Sequence, residues 1–423
     1  MSYKREEKIT TNPGAFPFFK KVTVKRETSF GEGGMPVISA DSHVVEAKEV
    51  YIGLEEKFGD EAPRVMYENT ENDSIVIPAA GPRGVRKRMA FAGLRSKEEV
   101  ELTRQHARKP EVDDISTAKA KSVLALGYAG MREGVRDGAA RGLDQDMDGI
   151  KLEFLYPGLF GMFSFQNTEL LVACQKNYND WLYDYAKAGA GRLYGLAAIP
   201  MQDPVAAEKE LTRAISKGFK GGCIPCSSPF EKPYQDSIYD PIWALAQEAE
   251  FPLSMHVGTN SYRPRDTRSK AEVRDSIVDY ANAYNSIQRT LVELICRGVA
   301  TRYPRLKFVV AEFNAGWIAH WLDRVDQGLM REKRFKERDY QGERPMDIWH
   351  RQFFATIEDD KAALLTRQII GEDNLLWGSD YPHVDSTWPC SVEVLSEMFE
   401  GIDPSIYRKI TYDNVKRLYG IEI

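Results

Sequence analysis

The chain has 423 residues, with 57 Lys plus Arg against 63 Asp plus Glu and a net charge of −6. That balance excludes the basic footprint of a nucleic-acid binder. No apolar run of about 18 residues marks a membrane span, and the charged first stretch MSYKREEKITTNPGAFPFFK lacks a signal-peptide core. Five scattered cysteines (Cys174, Cys223, Cys226, Cys296 and Cys390) fit reduced thiols and a cytoplasmic location.

Residues 1–36 read as an irregular N-terminal arm that closes on GEGGMP. Residues 37–423 read as one domain, opened by the short apolar strand VISAD and interrupted at 47–145 by a charge-rich insertion. The insertion has no clear period and too little apolar content for a core of its own, and its basic run RGVRKR reads as a solvated face.

From about residue 146 strands and helices alternate. GIKLEFLYPG (149–158) is strand-like, and TELLVACQKNYNDWLYDYAKA (168–188) carries apolar residues at helical spacing. RLYGLAAIP (192–200) is a strand. The helix DPVAAEKELTRAISKG (203–218) opens on Asp and Pro and closes on Gly. FKGGCIP (219–225) is the next strand. SIYDPIWALAQEAE (237–250) predicts a helix broken near Pro241, FPLSMHVG (251–258) a strand, and 277–298 a long helix. LKFVVAEFN (306–314), FFATIE (353–358) and NLLWGSD (374–380) complete the strands, with helices at 315–329 and 359–369 between them and further helices closing the chain.

Eight strands alternating with helices predict an α/β protein, a (β/α)8 TIM barrel. A doubly wound open sheet is weaker, because no glycine-rich dinucleotide fingerprint is present. The pair Cys223 and Cys226 in CIPC has redox spacing, but a proline-containing loop follows where a helix start would be needed, so small residues ending a buried strand is the preferred reading.

In such a barrel the reactive groups sit at the C-terminal ends of strands. There the sequence places Asp41 and His43 (first strand), His256 (fifth), Glu312 (sixth) and Asp380 (eighth). Each alone is explained as a structural histidine or a helix cap. Five together, all charged or imidazole groups at the ends of apolar runs, fit a divalent metal site. Zn²⁺ heads the order of metals, with Mn²⁺ or Fe²⁺ as alternatives.

The stretches ADSH (40–43), DQDMDGIKLEFLYPG (144–158), MHVG (255–258), AEFNAGWIAHWLDRVD (311–326) and WGSDYPHVDSTWP (377–389) resemble the amidohydrolase-related family, in the branch that includes aminocarboxymuconate-semialdehyde decarboxylase. The resemblance implies a metal-dependent barrel enzyme with Asp41, His43, His256 and Asp380 as ligands. Departures are visible. Asp41 stands where many members have the first histidine of His-x-His, and Glu312 stands where decarboxylases of the branch have histidine. The fourth strand, FKGGCIP, offers no bridging lysine, since Lys220 lies too early.

A metal-bound water with its pKa lowered toward about 7 supplies hydroxide, and Asp380 or Glu312 is placed to shuttle its proton. His383, in the loop after the eighth strand, is a further candidate catalytic group. The loop LYPGLFGMFSFQN offers Tyr156, Phe160 and Phe163 to line an apolar pocket, and Arg263, with Arg265 and Arg268, is placed to bind a substrate carboxylate. His320, His350 and His106 read as structural or exposed. The leading expectation is a metal-dependent hydrolase of a carbonyl-containing, partly apolar small molecule. The alternative is a non-oxidative decarboxylase of an aromatic or unsaturated acid, and a non-catalytic binding barrel is the third. A homo-oligomer without nucleic-acid or membrane partners is expected.

Overall fold

The computed structural model describes residues 3–7, 24–28, 35–66, 74–77, 85–88, 128, 131–158, 160–261, 281–331, 343–383, 386–389 and 391–422. Its centre is a parallel barrel of eight strands: β1 (Ile38–His43), β2 (Leu152–Tyr156), β3 (Leu193–Gly195, continued by Ala197–Ala198), β4 (Gly222–Ile224), β5 (Leu253–His256), β6 (Phe308–Ala311), β7 (Phe353–Ile357) and β8 (Leu375–Trp377). β1 and β4 to β8 are buried along their whole length, as strands sheathed by helices on one side and closed on themselves on the other must be.

Neighbouring strands pair in sequence order, from Ile38 against Leu152 in β1–β2 to Ile357 against Trp377 in β7–β8. β3 changes partner at Leu196, whose N–H still bonds Leu155 of β2, while Ala197 N–H bonds Gly221 O beside β4. The circle closes between the chain after β8 and β1. Asp380 N–H bonds Asp41 O at 2.9 Å, and His43 N–H bonds Tyr381 O at 2.7 Å. Gly378 makes that approach feasible, because a Cβ there would lie 2.4 Å from the Asp41 Cβ.

The sheathing helices follow local signals. Asn167 caps Thr168–Ala188 by accepting from Leu170 N, and Asp203 caps Pro204–Lys217 by accepting from Val205 N and Ala206 N. The break expected near Pro241 is present: a 3-10 turn, Ser237–Tyr239, gives way to the helix Asp240–Glu248, with Pro241 in its first turn, where a missing N–H costs nothing. The helix expected over 277–298 is described as Asn285–Cys296, residues 277–280 lying outside the described set.

The segments read as irregular contain structure. Tyr3–Glu7 pairs antiparallel with Val24–Thr28, inside the expected arm. In the insertion, Arg64–Met66, Ser74–Ile77 and Val85–Arg88 form an antiparallel sheet, the last strand holding part of the basic run. Ile75 and Ile77 join the barrel's hydrophobic core, together with Val50, Leu54 and Ala62. A helix at Gly138–Asp148 spans the expected end of the insertion, capped by Asp137 and stopped by Gly149 at φ 78°. Hydrophobic periodicity does not betray it, because its buried face is Arg141, Asp144, Gln145 and Asp148. No helix among the described residues is long and apolar enough to cross a membrane.

Candidate metal centre at the barrel mouth

Alternation along β1 places Asp41 and His43 on one face, and both are buried, as are His256 at the end of β5 and Asp380 beyond β8. Glu312 follows β6 directly. Glu312 (φ 56°) and Asp380 (φ 58°) both adopt the left-handed backbone region, a conformation costing about 1–3 kcal/mol outside glycine and concentrated at functional sites. Backbone bonds hold them there: Glu312 N–H donates to Thr356 Oγ1, and Asp380 N–H to Asp41 O, each at 2.9 Å.

The side chains converge. His43 Nε2 lies 3.1 Å from Asp380 Oδ1, 3.3 Å from Glu312 Oε2 and 3.7 Å from Asp41 Oδ1. His256 Nε2 lies 3.0 Å from Glu312 Oε2 and 3.4 Å from Asp41 Oδ1. Both rings are oriented through Nδ1, which meets Pro157 O at 3.0 Å for His43 and Val257 O at 2.8 Å for His256. A carbonyl only accepts, so Nδ1 carries a proton and each ring turns its Nε2 edge toward the carboxylates.

Imidazole nitrogens and carboxylate oxygens at these separations need a proton or a cation between them. Asp41 Oδ1, Glu312 Oε2 and Asp380 Oδ1 are buried, and their near polar neighbours among the described residues are the imidazole nitrogens of the cluster. Among the protein groups alone, burial works to lower the His256 pKa, but the Glu312 and Asp41 carboxylates outweigh it and hold the value well above the ordinary one. For Glu312, burial works upward and the His256 charge wins, holding the carboxyl well below its usual range. The ligand atoms fall into two overlapping groups, His43, Glu312, Asp380 and His383, and Asp41, His43 and His256, and imidazoles and carboxylates so gathered fit a divalent cation.

His383 belongs to the same cluster one step out. Its Nδ1 lies 2.8 Å from Asp380 Oδ1, its ring stacks on His43 at 4.0 Å, and its side chain is 27% exposed. Thr356, on β7, joins the two sides by donating to Asp41 Oδ2 at 2.9 Å while accepting from Glu312 N–H.

A cavity of about 360 Å³ opens over Asp41, Glu312 and Asp380, with Phe313, Trp317 and Tyr284 in its wall. The Tyr284 and Trp317 rings stack at 5.6 Å and 18°. The expected lining residues lie elsewhere. Tyr156 is fully buried beside the donors, 4.8 Å from the His256 ring, and Phe163 is in the hydrophobic core; neither lines this cavity. Only the backbone of Phe160 is described, and Arg263, Arg265 and Arg268 fall outside the described residues.

His320 and His350 are exposed, and His106 is outside the described residues. Cys223 and Cys226 are buried free thiols pushed up by burial, Cys226 to about 11. They end a strand rather than start a helix, which is not the setting of a reactive thiolate.

Sequence reasoning did not find Thr356, Tyr284 or Trp317. The polar residue inside FFATIE was a signal for Thr356. Nothing separated the two aromatic residues from ordinary packing positions.

A (β/α)8 barrel whose strand ends gather imidazoles and carboxylates is the architecture of a metal-dependent barrel enzyme. Residues 139–421 match the family described as Amidohydrolase, and the chain belongs to this family. It is similar to gamma-resorcylate decarboxylase of Polaromonas sp., with 25% identity over 262 residues covering 57% of this chain and 75% of the relative. It is also similar to the decarboxylase orsB of Emericella nidulans, at 24% identity over 45% of this chain and 59% of that one. Among solved structures, an amidohydrolase from Mycobacterium avium subsp. paratuberculosis superposes with a TM-score of 0.70 at 21% identity, covering 92% of this chain and all of the other. A dihydroxybenzoic acid decarboxylase from Polaromonas sp., crystallised with manganese and the inhibitor 2-nitroresorcinol, gives a TM-score of 0.57 at 19% identity over 78% of this chain and 95% of that one. The protein is an enzyme of the amidohydrolase superfamily.

Proposed function

We propose that the protein is a divalent-metal-dependent, non-oxidative decarboxylase of an aromatic carboxylic acid, with Mn²⁺ as its first-choice metal. The carrying observation is the cavity that joins a carboxylate-rich donor set to an aromatic wall of Phe313, Trp317 and Tyr284. The names of the relatives point the same way. Three carboxylates beside two imidazoles suit Mn²⁺ better than they suit Zn²⁺.

This places decarboxylation above the expected hydrolysis, and the reason is local. A carboxylate beside a divalent ion is poor at giving up a proton on its own. Asp380, however, has His383 Nδ1 3.0 Å from its Oδ2, so the pair can hold a proton between them. A divalent ion held by these imidazoles and carboxylates would offset the charge of the substrate carboxylate. The stacked Tyr284–Trp317 face orients the substrate ring and keeps water off it. The bond from ring carbon to carboxylate breaks with its electron pair staying on the ring. That carbon takes the proton from Asp380–His383, and carbon dioxide leaves. His383, partly exposed, recovers a proton from solvent.

Hydrolysis is the second reading, favoured by Glu312. A third carboxylate 3.0 Å from His256 Nε2 is placed to accept a proton from an attacking water. Purified Mn²⁺-loaded protein is to be incubated with hydroxybenzoic acids and with their esters and amides. The expected result is carbon dioxide release with one solvent deuteron entering the ring in D₂O. Ester or amide cleavage without carbon dioxide from any acid overturns the proposal.

A further inference from the structure

We infer that the helix Gly138–Asp148 is a positioning clamp for the donors at the barrel's closing seam, with Arg141 as its central residue. The inference rests on the reading that the donors hold a divalent ion.

Arg141 is fully buried, and a guanidinium there needs full pairing. Glu153 of β2 supplies it bidentately, through Nε at 2.8 Å and Nη2 at 2.9 Å. Charge balance would end at that pair. Instead the remaining N–H groups reach the seam: Nη1 donates to His43 O at 3.0 Å and Nη2 to Tyr381 O at 3.3 Å. One guanidinium thus holds the carbonyl of a donor on β1 and that of the residue after the donor Asp380.

The same helix face grips the rest of the β8 loop. The Tyr381 ring lies 4.4 Å from the Arg141 guanidinium, and its hydroxyl donates to Asp144 Oδ2 at 2.7 Å. Asp144 Oδ1 is held by Arg132 Nε at 2.6 Å, and Asp144 O accepts from Trp388 Nε1 at 3.1 Å. Asp148 Oδ1 accepts from Ser391 N–H at 2.8 Å. Residues 141, 144 and 148 share one helical face, and through it they fasten the chain at Tyr381, between Asp380 and His383, and at Trp388 and Ser391 beyond them. Gly138 lets the helix seat this deeply, since a Cβ there would lie 1.9 Å from Tyr185 O.

None of these clamp residues is placed to touch substrate, so the expected effect is on donor geometry. The test compares Arg141→Lys, Asp144→Asn and Tyr381→Phe with a control, Glu210→Gln. Glu210 makes a buried bond to Asn179 and pairs with Arg213 on the barrel's flank, away from the seam. Two quantities are measured: Mn²⁺ affinity by titration, and deuterium exchange of peptides spanning 38–43 and 378–383, whose amides close the seam.

The clamp variants are expected to weaken Mn²⁺ binding by about ten- to a hundred-fold, as loss of outer-sphere partners does, and to speed exchange in both peptides. The control is expected to move neither. Clamp variants matching wild type, or a control that shifts as they do, overturn the inference. Should Arg141→Lys fail to fold, Tyr381→Phe, which removes a single hydroxyl, decides. Should wild-type protein bind no Mn²⁺, the metal reading fails, and the exchange data alone judge the clamp.

Discussion

His256 and Glu312, on adjacent strands β5 and β6, are held by the barrel itself, whereas Asp41, His43 and Asp380 meet where β8 closes on β1. On the first side each group leans on near neighbours: His256 on the carbonyl of the next residue, Glu312 on Thr356 of the adjoining strand. On the second side the closure combines two backbone bonds, a buried cluster of Ser39, Ser42 and Ser379, and a buried arginine from outside the barrel. Continuous strand pairing fixes donor positions without help. A seam that must close over a bulky polar site needs a brace.

The most severe way to break the comparison removes a donor from the better-supported side. His256→Ala is expected to lose stoichiometric metal and all metal-dependent turnover while keeping its far-UV circular dichroism, because the barrel core does not depend on the donors. Full metal content in that variant would mean the ligand set is wrong. A sharper contrast pits Asp380→Asn against Glu312→Gln. Under decarboxylation the first loses about 10²–10⁴ in kcat through loss of proton transfer, and the second loses less. The reverse order, read in steady-state kinetics, would favour hydrolysis. The mildest change is Thr356→Val, which cuts the link between the two sides. It leaves Asp41 Oδ2 and Glu312 N–H without their partner and is expected to cost about 1–3 kcal/mol in denaturant unfolding. An unchanged midpoint would show that the two sides are held independently.

The residues that converge at the mouth were legible because charged residues at the ends of apolar strands stand out against their surroundings. Asp41, His43, His256, Glu312 and Asp380 each interrupt such a run. The brace was not legible for the opposite reason. Arg141, Asp144 and Asp148 look like a solvated face, and their partners, among them Tyr381 and Ser391 more than 200 residues away, make them interior. The barrel itself followed from strand and helix alternation. The structure inside 1–36 and 47–145 did not, since short paired strands and a helix with a charged buried face leave no hydrophobic period. The choice between two reactions turned on the distance from His383 to Asp380, which strand patterns do not contain.

Glu312 and Asp380 carry a burden separate from their charge. Each holds its chain in a turn that glycine would adopt freely and that any other residue adopts at a cost of about 1–2 kcal/mol. Replacement by glycine would relax the backbone and erase the donor in one step. At these two positions, then, heat resistance and chemistry pull in opposite directions, and a lineage selected only for thermal endurance would drift toward an inert barrel.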